Sequence, residues 1–513
     1  MASSDVADVV GIGYVPLMIN SHKRVPVKLV AVAGIAAVVA LGVAGSAQAA
    51  TKAVVTAVIP SSVSSISKGI EGIAVDDAHN RAYVTNYIDG TVSVIDTTGT
   101  GTAVTAVIPN AMNGIGNGAW GVAVDPAHNR AYVANTNDGT VSVIDTTGTG
   151  TAVSAVIQPG MKGIGKRPVG VAIDAAHNRA YVTNFVDGSV SVIDTTGIGT
   201  AVTAVIPNGL NSIGKGAQGV AVDVAHNRAY VANYVDGTVS VIDTTGAGTA
   251  VTAVIQKGKA SIGNAPTGVA VDTAHDRAYV TNFGDGTVSV IDTTGSGTAV
   301  SAVIPLGSNS IGATPTGVAI DATHNQAYVT NYDDGTLSVI DTTGSGTAVS
   351  AVIPNGAASI GKDPAGVAVD AVHDRAYVAN FEDGTVSVIQ SQASPTITTL
   401  PGALPAGTVS TEYAPFALTA TGFPAPTFST PAADLPPGLS LSPAGVLSGT
   451  PTAAGTFTFV VTASNTVDPS ATQTFTVKIS DAAPTPTPAP TPTTPGGRGG
   501  TVPPAAHLPI VSG

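Results

Sequence analysis

From residue 51 the chain is built of short apolar runs cut by turn signals. One stretch carries the whole pattern: Gly219-Val220-Ala221-Val222-Asp223, then His226-Asn227-Arg228-Ala229-Tyr230-Val231-Ala232-Asn233, then Asp236-Gly237-Thr238-Val239-Ser240-Val241-Ile242-Asp243. Runs rich in Val, Ile, Tyr and Thr read as strands, and the His-Asn and Asp-Gly pairs between them favour tight hairpins. Ala250-Val251-Thr252-Ala253-Val254-Ile255 adds a fourth strand, entered through Thr-Gly-x-Gly and left through a looser linker.

The pattern repeats without slipping. His79, His128, His177, His226, His275, His324 and His373 are each 49 residues apart. Four antiparallel strands in a period of roughly 40 to 50 residues are the sequence form of a propeller blade. The three-strand phrase occurs seven times, but the fourth strand follows it only six times, at 103–108, 152–157, 201–206, 250–255, 299–304 and 348–353. The missing copy stands at the front as Ala53-Val54-Val55-Thr56-Ala57-Val58-Ile59. It is expected to complete the last blade, removing an open sheet edge and joining the two ends of the ring. The expected fold is therefore all-β, a seven-bladed propeller of four-stranded blades over 51–391, closed in blade seven by the N-terminal strand.

Tyr-Val-Thr-Asn at 83, 181, 279 and 328 and Tyr-Val-Ala-Asn at 132, 230 and 377 resemble the YVTN-repeat β-propellers across all seven blades. That family includes bacterial cell-surface and surface-layer proteins, and its wider superfamily includes lactonases and amine dehydrogenase subunits. The resemblance implies export and binding more than chemistry, because one fold serves many functions.

After Ile389 the repeat stops. Residues 395–480 show Thr-rich strands and Pro/Gly turns, as in Pro436-Pro437-Gly438-Leu439-Ser440-Leu441 and Gly455-Thr456-Phe457-Thr458-Phe459-Val460-Val461. These segments resemble the Ig-like modules of bacterial surface proteins, and the alternation of Phe457, Phe459 and Val461 supplies the buried face a small β-sandwich requires. Residues 481–513 form a Pro/Thr/Gly-rich tail that cannot bury a core and is expected to be disordered.

The N-terminus supplies a compartment. Lys23, Arg24 and Lys28 precede an apolar run from Leu29 to Gly45 that ends in Ala47-Gln48-Ala49. This is a secretory layout, so 1–49 is expected to be a signal peptide, with Met18 as an alternative start and an uncleaved membrane anchor as the rival reading. Secretion or attachment to the cell envelope follows.

With 60 Gly, 34 Pro, 43% apolar and 10% charged residues among 513, the chain is globular and turn-rich. A formal charge of −13 with only 20 Lys and Arg argues against nucleic acid, which needs clustered bases. Cysteine is absent, which excludes disulfides, thiolate metal sites and a cysteine nucleophile.

Could the histidine ring hold a metal? Equivalent positions on neighbouring blades are expected roughly 9 Å apart, from strand spacings of ~4.8 Å. Zinc holds nitrogen ligands at ~2.1 Å, so two such histidines cannot share an ion. Each His reads instead as a turn residue bonded to local backbone, and each Asp-Gly as hairpin geometry. No Asp-x-Asp-x-Asp run suggests calcium. No catalytic residue, cofactor or metal is expected.

Variation among blades points elsewhere. The linkers between blades and the residue pair after each Asn differ, and because strand direction alternates they fall on one face. Loops on a rigid scaffold are where binding diversifies. The candidate ligand contacts on that face are Trp120, the chain's one tryptophan, with Lys166, Arg167, Lys215 and Lys362. Trp120 also has a plainer reading, as a cap on the core under its linker. The expected function is an extracellular or envelope binding scaffold, a monomer, with a cell-wall glycan or another envelope protein as partner. A propeller enzyme of lactonase type and a purely structural envelope protein are the alternatives.

Overall fold

The computed structural model describes residues 52–482 apart from 63–65, 112–113, 161–162, 357, 466 and 468. The expected signal peptide and the tail from residue 483 lie outside the described residues.

Each 49-residue unit folds as one antiparallel sheet of four strands. In blade four these are Ala217–Asp223, Arg228–Asn233, Thr238–Asp243 and Ala250–Ile255, paired in that order. The hairpins form where the turn chemistry placed them. Asn227 after His226 sits in the left-handed region at φ 53°, and Gly237 of the Asp-Gly pair at φ 70°; Asn and Gly tolerate that region best.

Six blades are continuous in sequence, and the seventh is composite. Pro364–Asp370, Arg375–Asn380 and Thr385–Ile397 pair in order, and Lys52–Ile59 takes the fourth place, with Val55 opposite Ile389 and Ile59 opposite Val386. The first strands of successive blades stand side by side around the axis, and Pro364–Asp370 meets Ile70–Asp76 to close the circle.

The core lies between blades. Tyr83, Val92, Val94 and Ile108 of blade one pack with Ala131, Val133 and Ile144 of blade two, and the same residue types recur at each junction, including that between blades seven and one. A sheet covered on both faces must be apolar on both faces, which is why Tyr-Val and Val-Ser-Val-Ile run without an exposed position.

On the face that carries the histidines, each blade is also latched to the next. Nη1 of Arg228 donates to the Thr293 carbonyl at 2.8 Å and Nη2 to that of Gly295, both in the Asp-Thr-Thr-Gly turn of blade five. Arg81, Arg130, Arg179, Arg277 and Arg375 do the same to their neighbours. Blade six alone has Gln326 here, because blade seven ends in Gln390-Ser391 and offers no such turn. There Ser391 and Tyr328 donate hydroxyl protons to Gln326 Oε1 at 3.0 and 2.9 Å. The seam of the ring thus has its own polar joint.

The C-terminal region is a sandwich of a four-stranded sheet, in the order Gly407–Thr408, Ala471–Ser480, Gly455–Ser464, Thr427–Ser429, and a three-stranded one, Tyr413–Ala417, Val446–Gly449, Leu439–Leu441. Phe459, Val461 and Ala463 are buried with Phe475, Val477 and Ile479, while Phe457 packs at the edge of that core. The last strand of the propeller carries on into this region. Thr385–Ile397 is one strand whose end pairs with Ala420–Phe423, and Asn465 Nδ2 donates to the Ala393 and Pro424 carbonyls.

Candidate functional site

The histidines turn out to be partners of aspartate rather than of backbone. Nδ1–H of His79 donates to Oδ2 of Asp76 at 2.8 Å, and all seven copies pair with the Asp three residues earlier, at the end of the first strand. Those aspartates are buried, so each His gives a hydrogen bond to a carboxylate that would be costly there without one. A residue with this job has to recur in every blade and cannot distinguish one ligand from another.

The opposite face differs. The hairpin after the second strand and the linker entering the first meet there, as Phe185 N–H donating to the Arg167 carbonyl at 2.9 Å illustrates. The carboxylates of the Asp-Gly turns are committed: Asp187, Asp236 and Asp383 accept the backbone N–H of Lys166, Lys215 and Lys362 at 2.8, 2.8 and 2.9 Å. The turn acids therefore hold the linkers in place, which their reading as hairpin formers alone did not include.

The five candidate contacts do not converge. Lys166 and Lys215 extend their side chains into solvent. Lys362 Nζ lies 3.9 Å from Glu382, and both are exposed. The guanidinium of Arg167 lies over the Phe185 ring of its own blade, 5.4 Å from the centroid. Trp120 turns to blade one, where it meets Tyr87 edge-on with centroids 5.2 Å apart. It is half-buried and lies beside another mouth aromatic, so it forms part of a surface more than a cap on the core.

That surface has two rings. The first is the residue after each Asn: Tyr87, Thr136, Phe185, Tyr234, Phe283, Tyr332 and Phe381. All six aromatics are half-buried, and neighbours approach at 6.0 Å for Phe185 and Tyr234, 6.3 Å for Tyr234 and Phe283, and 6.2 Å for Tyr332 and Phe381. Blade two alone has a small residue here, Thr136, whose hydroxyl donates inward to the Pro168 carbonyl. The same blade supplies Trp120.

The second ring is the residue before the mid-strand glycine on each innermost strand: Glu71, Trp120, Val169, Gln218, Thr267, Thr316 and Ala365. The glycine itself cannot vary. A Cβ on Gly72 would stand 2.3 Å from the Trp120 carbonyl oxygen, and one on Gly366 the same distance from that of Glu71. This close approach of backbones draws the innermost strands together and leaves the preceding position as the variable lining.

Glu71 is the only ionisable residue of that second ring. Burial alone pushes its carboxyl up to about 8. Burial also raises the Tyr332 phenol, and the charges of Asp363 and Glu71 raise it further.

Sequence reasoning named Trp120 and four bases on the variable face; the structure does not bring these five together, and the aromatics after each Asn went unread. A signal was available: six of seven residues after Tyr-Val-(Thr/Ala)-Asn are Tyr or Phe in a chain that is 4% aromatic. What sequence could not supply is the half-burial of Glu71, which the neighbouring blades impose.

Fold and site together define a β-propeller scaffold with an Ig-like C-terminal region. Residues 382–480 match the family model described as a putative Ig domain; the match begins in the Asp-Gly hairpin of blade seven and takes in the strand Thr385–Ile397. Among solved structures the chain is similar to Kuenenia stuttgartiensis hydrazine synthase, at 18% identity and a TM-score of 0.51, over 63% of this chain and 96% of that one. It is also similar to the β-propeller domain of Myceliophteria thermophila Cps50 (Swd1), at 10% identity and a TM-score of 0.49, over 64% and 98%. At these identities the first likeness speaks to fold alone, and the second carries no argument. The comparison with curated proteins gave no match. Among the described residues no helix is long and apolar enough to cross a membrane.

Proposed function

We propose that the chain is an exported binding scaffold of the cell surface or medium, whose propeller takes its ligand at the variable mouth of the ring. The observation that carries this reading is the asymmetry of the mouth: six aromatics, Trp120 and Glu71 stand on a face where no two adjacent blades are alike, while the opposite face repeats. Half-buried aromatics are characteristic of recognition surfaces, since they bring large contact area at small conformational cost. The basic lead and apolar run of residues 23–49 support export, and the Ig-like region supports a role as spacer or adhesive unit.

Retention of the purified chain on isolated cell-wall material tests it. The reading expects saturable retention that falls sharply when Tyr87 and Trp120 are both replaced by Ala with the melting temperature kept. Retention that is absent, or that survives this double substitution, overturns it.

A further inference from the structure

Four aromatic side chains follow one another around one sector of the mouth: Tyr332 of blade six, Phe381 of blade seven, Tyr87 of blade one and Trp120 of blade two. Tyr332 and Phe381 are in tilted contact, Tyr87 and Trp120 in edge-to-face contact. The link between the pairs is Gly69, whose N–H donates to the Phe381 carbonyl while its own carbonyl accepts the Tyr87 N–H, both at 2.8 Å. Glu71 follows two residues later, in the middle of the sector.

Glu71 stands without a basic partner among the described residues. Among the described residues no Lys, Arg or His lies within ion-pair distance of it, and Lys68, the base on its own linker, is exposed. The same sector carries Asp333, Asp363 and Glu382, against Lys362, which already faces Glu382. Across the mouth the chain fills the corresponding place itself: Arg167 lies over Phe185, a cation on an aromatic face. No other cation of the described residues covers a ring.

We infer that the sector formed by blades six, seven, one and two binds an organic ammonium group, with Glu71 as its counter-ion and Tyr332, Phe381, Tyr87 and Trp120 as its cage. Aromatic faces attract cations through their quadrupole, and the attraction grows where water is displaced. The half-buried Glu71 carboxyl holds its proton in the absence of a partner, and an arriving cation favours the carboxylate that pairs with it. An anion meets four acids here, and a neutral sugar offers Glu71 hydroxyls without the positive charge that its carboxylate and the aromatic faces both favour.

The inference rests on the mouth being the ligand site, and the test separates the two. Because Trp120 is the chain's one tryptophan, its fluorescence reports the sector directly. The full chain is titrated with choline and with 3,3-dimethylbutan-1-ol, which has the same shape without the charge. A saturable change with choline, about tenfold or more tighter than with the neutral isostere, is expected. Glu71→Gln, which preserves size, is expected to remove that preference while its melting temperature holds. Equal response to both compounds, no response to choline, or an unchanged preference in Glu71→Gln overturns the inference. Wall retention that persists under saturating choline also overturns it and leaves the mouth standing as a ligand site of other chemistry.

Discussion

On the histidine face, six arginines and seven Asp–His pairs do the same thing in each blade, and the one departure, Gln326, occurs where the neighbouring turn is missing. On the opposite face, equivalent positions hold Glu, Trp, Val, Gln, Thr and Ala. The difference follows from what each face must do. A latch has to fit the next blade, and since the blades are alike the latch is forced to repeat. The mouth side chains meet the next blade through ring contacts and single hydroxyls that differ from blade to blade, so they are free to break the seven-fold symmetry as a ligand that is not seven-fold requires.

The comparison can be broken hardest at the seam. Deletion of residues 51–60 removes the fourth strand of blade seven with the buried Ala53 and Ile59, and the ring is expected to lose its cooperative melt and aggregate, as light scattering during a thermal ramp will register. A deletion variant that melts like the parent contradicts closure.

Next come the glycines that hold the innermost strands together. Gly219→Val places a Cβ 2.1 Å from the Thr267 carbonyl oxygen, and a loss of roughly 3 kcal/mol or more is expected by chemical denaturation, the strain falling on backbone that cannot move aside. The latch is weaker. Arg228→Gln surrenders two charge-assisted bonds to blade five, an expected cost of about 1–3 kcal/mol. The reciprocal change, Gln326→Arg, is expected to destabilise as well, because it puts a guanidinium in a buried joint built around one amide oxygen.

On the mouth the signs change. The folded chain keeps a proton on Glu71 up to about 8, against an ordinary value of 4.5. Between these values the folded state binds the proton and the unfolded state does not, so this group's contribution is lost as pH rises. Glu71→Gln is therefore expected to gain on the parent in melting temperature from about pH 5 to about pH 9, and a constant difference across that range contradicts the burial of Glu71. The smallest effect belongs to the exposed bases: Lys215→Ala is expected to change stability by no more than about 0.5 kcal/mol.

Much of this was legible in the residues. Tyr-Val-Thr-Asn and Asp-Gly placed the strands and hairpins, and the surplus strand at 53–59 named its own partner by being the copy that was missing. The variable face was legible too, from the alternation of strand direction. The pairing of His226 with Asp223 was not, since a turn histidine has backbone and side-chain partners in equal reach until the strand end is placed. The boundary at residue 395 looked like a domain break because composition changes there. The backbone instead runs straight through, and Thr385–Ile397 pairs within blade seven at one end and with Ala420–Phe423 at the other.

By itself the sequence determined the number of blades, their strand order and the way the ring closes, because these depend on local turns and on a period that any one copy repeats. Only the tertiary structure decided which variable residues matter. Tyr332 and Glu71 are 261 positions apart in the chain and two blades apart on the ring, and a carboxyl is desolvated not by its own neighbours in sequence but by the blades that close around it.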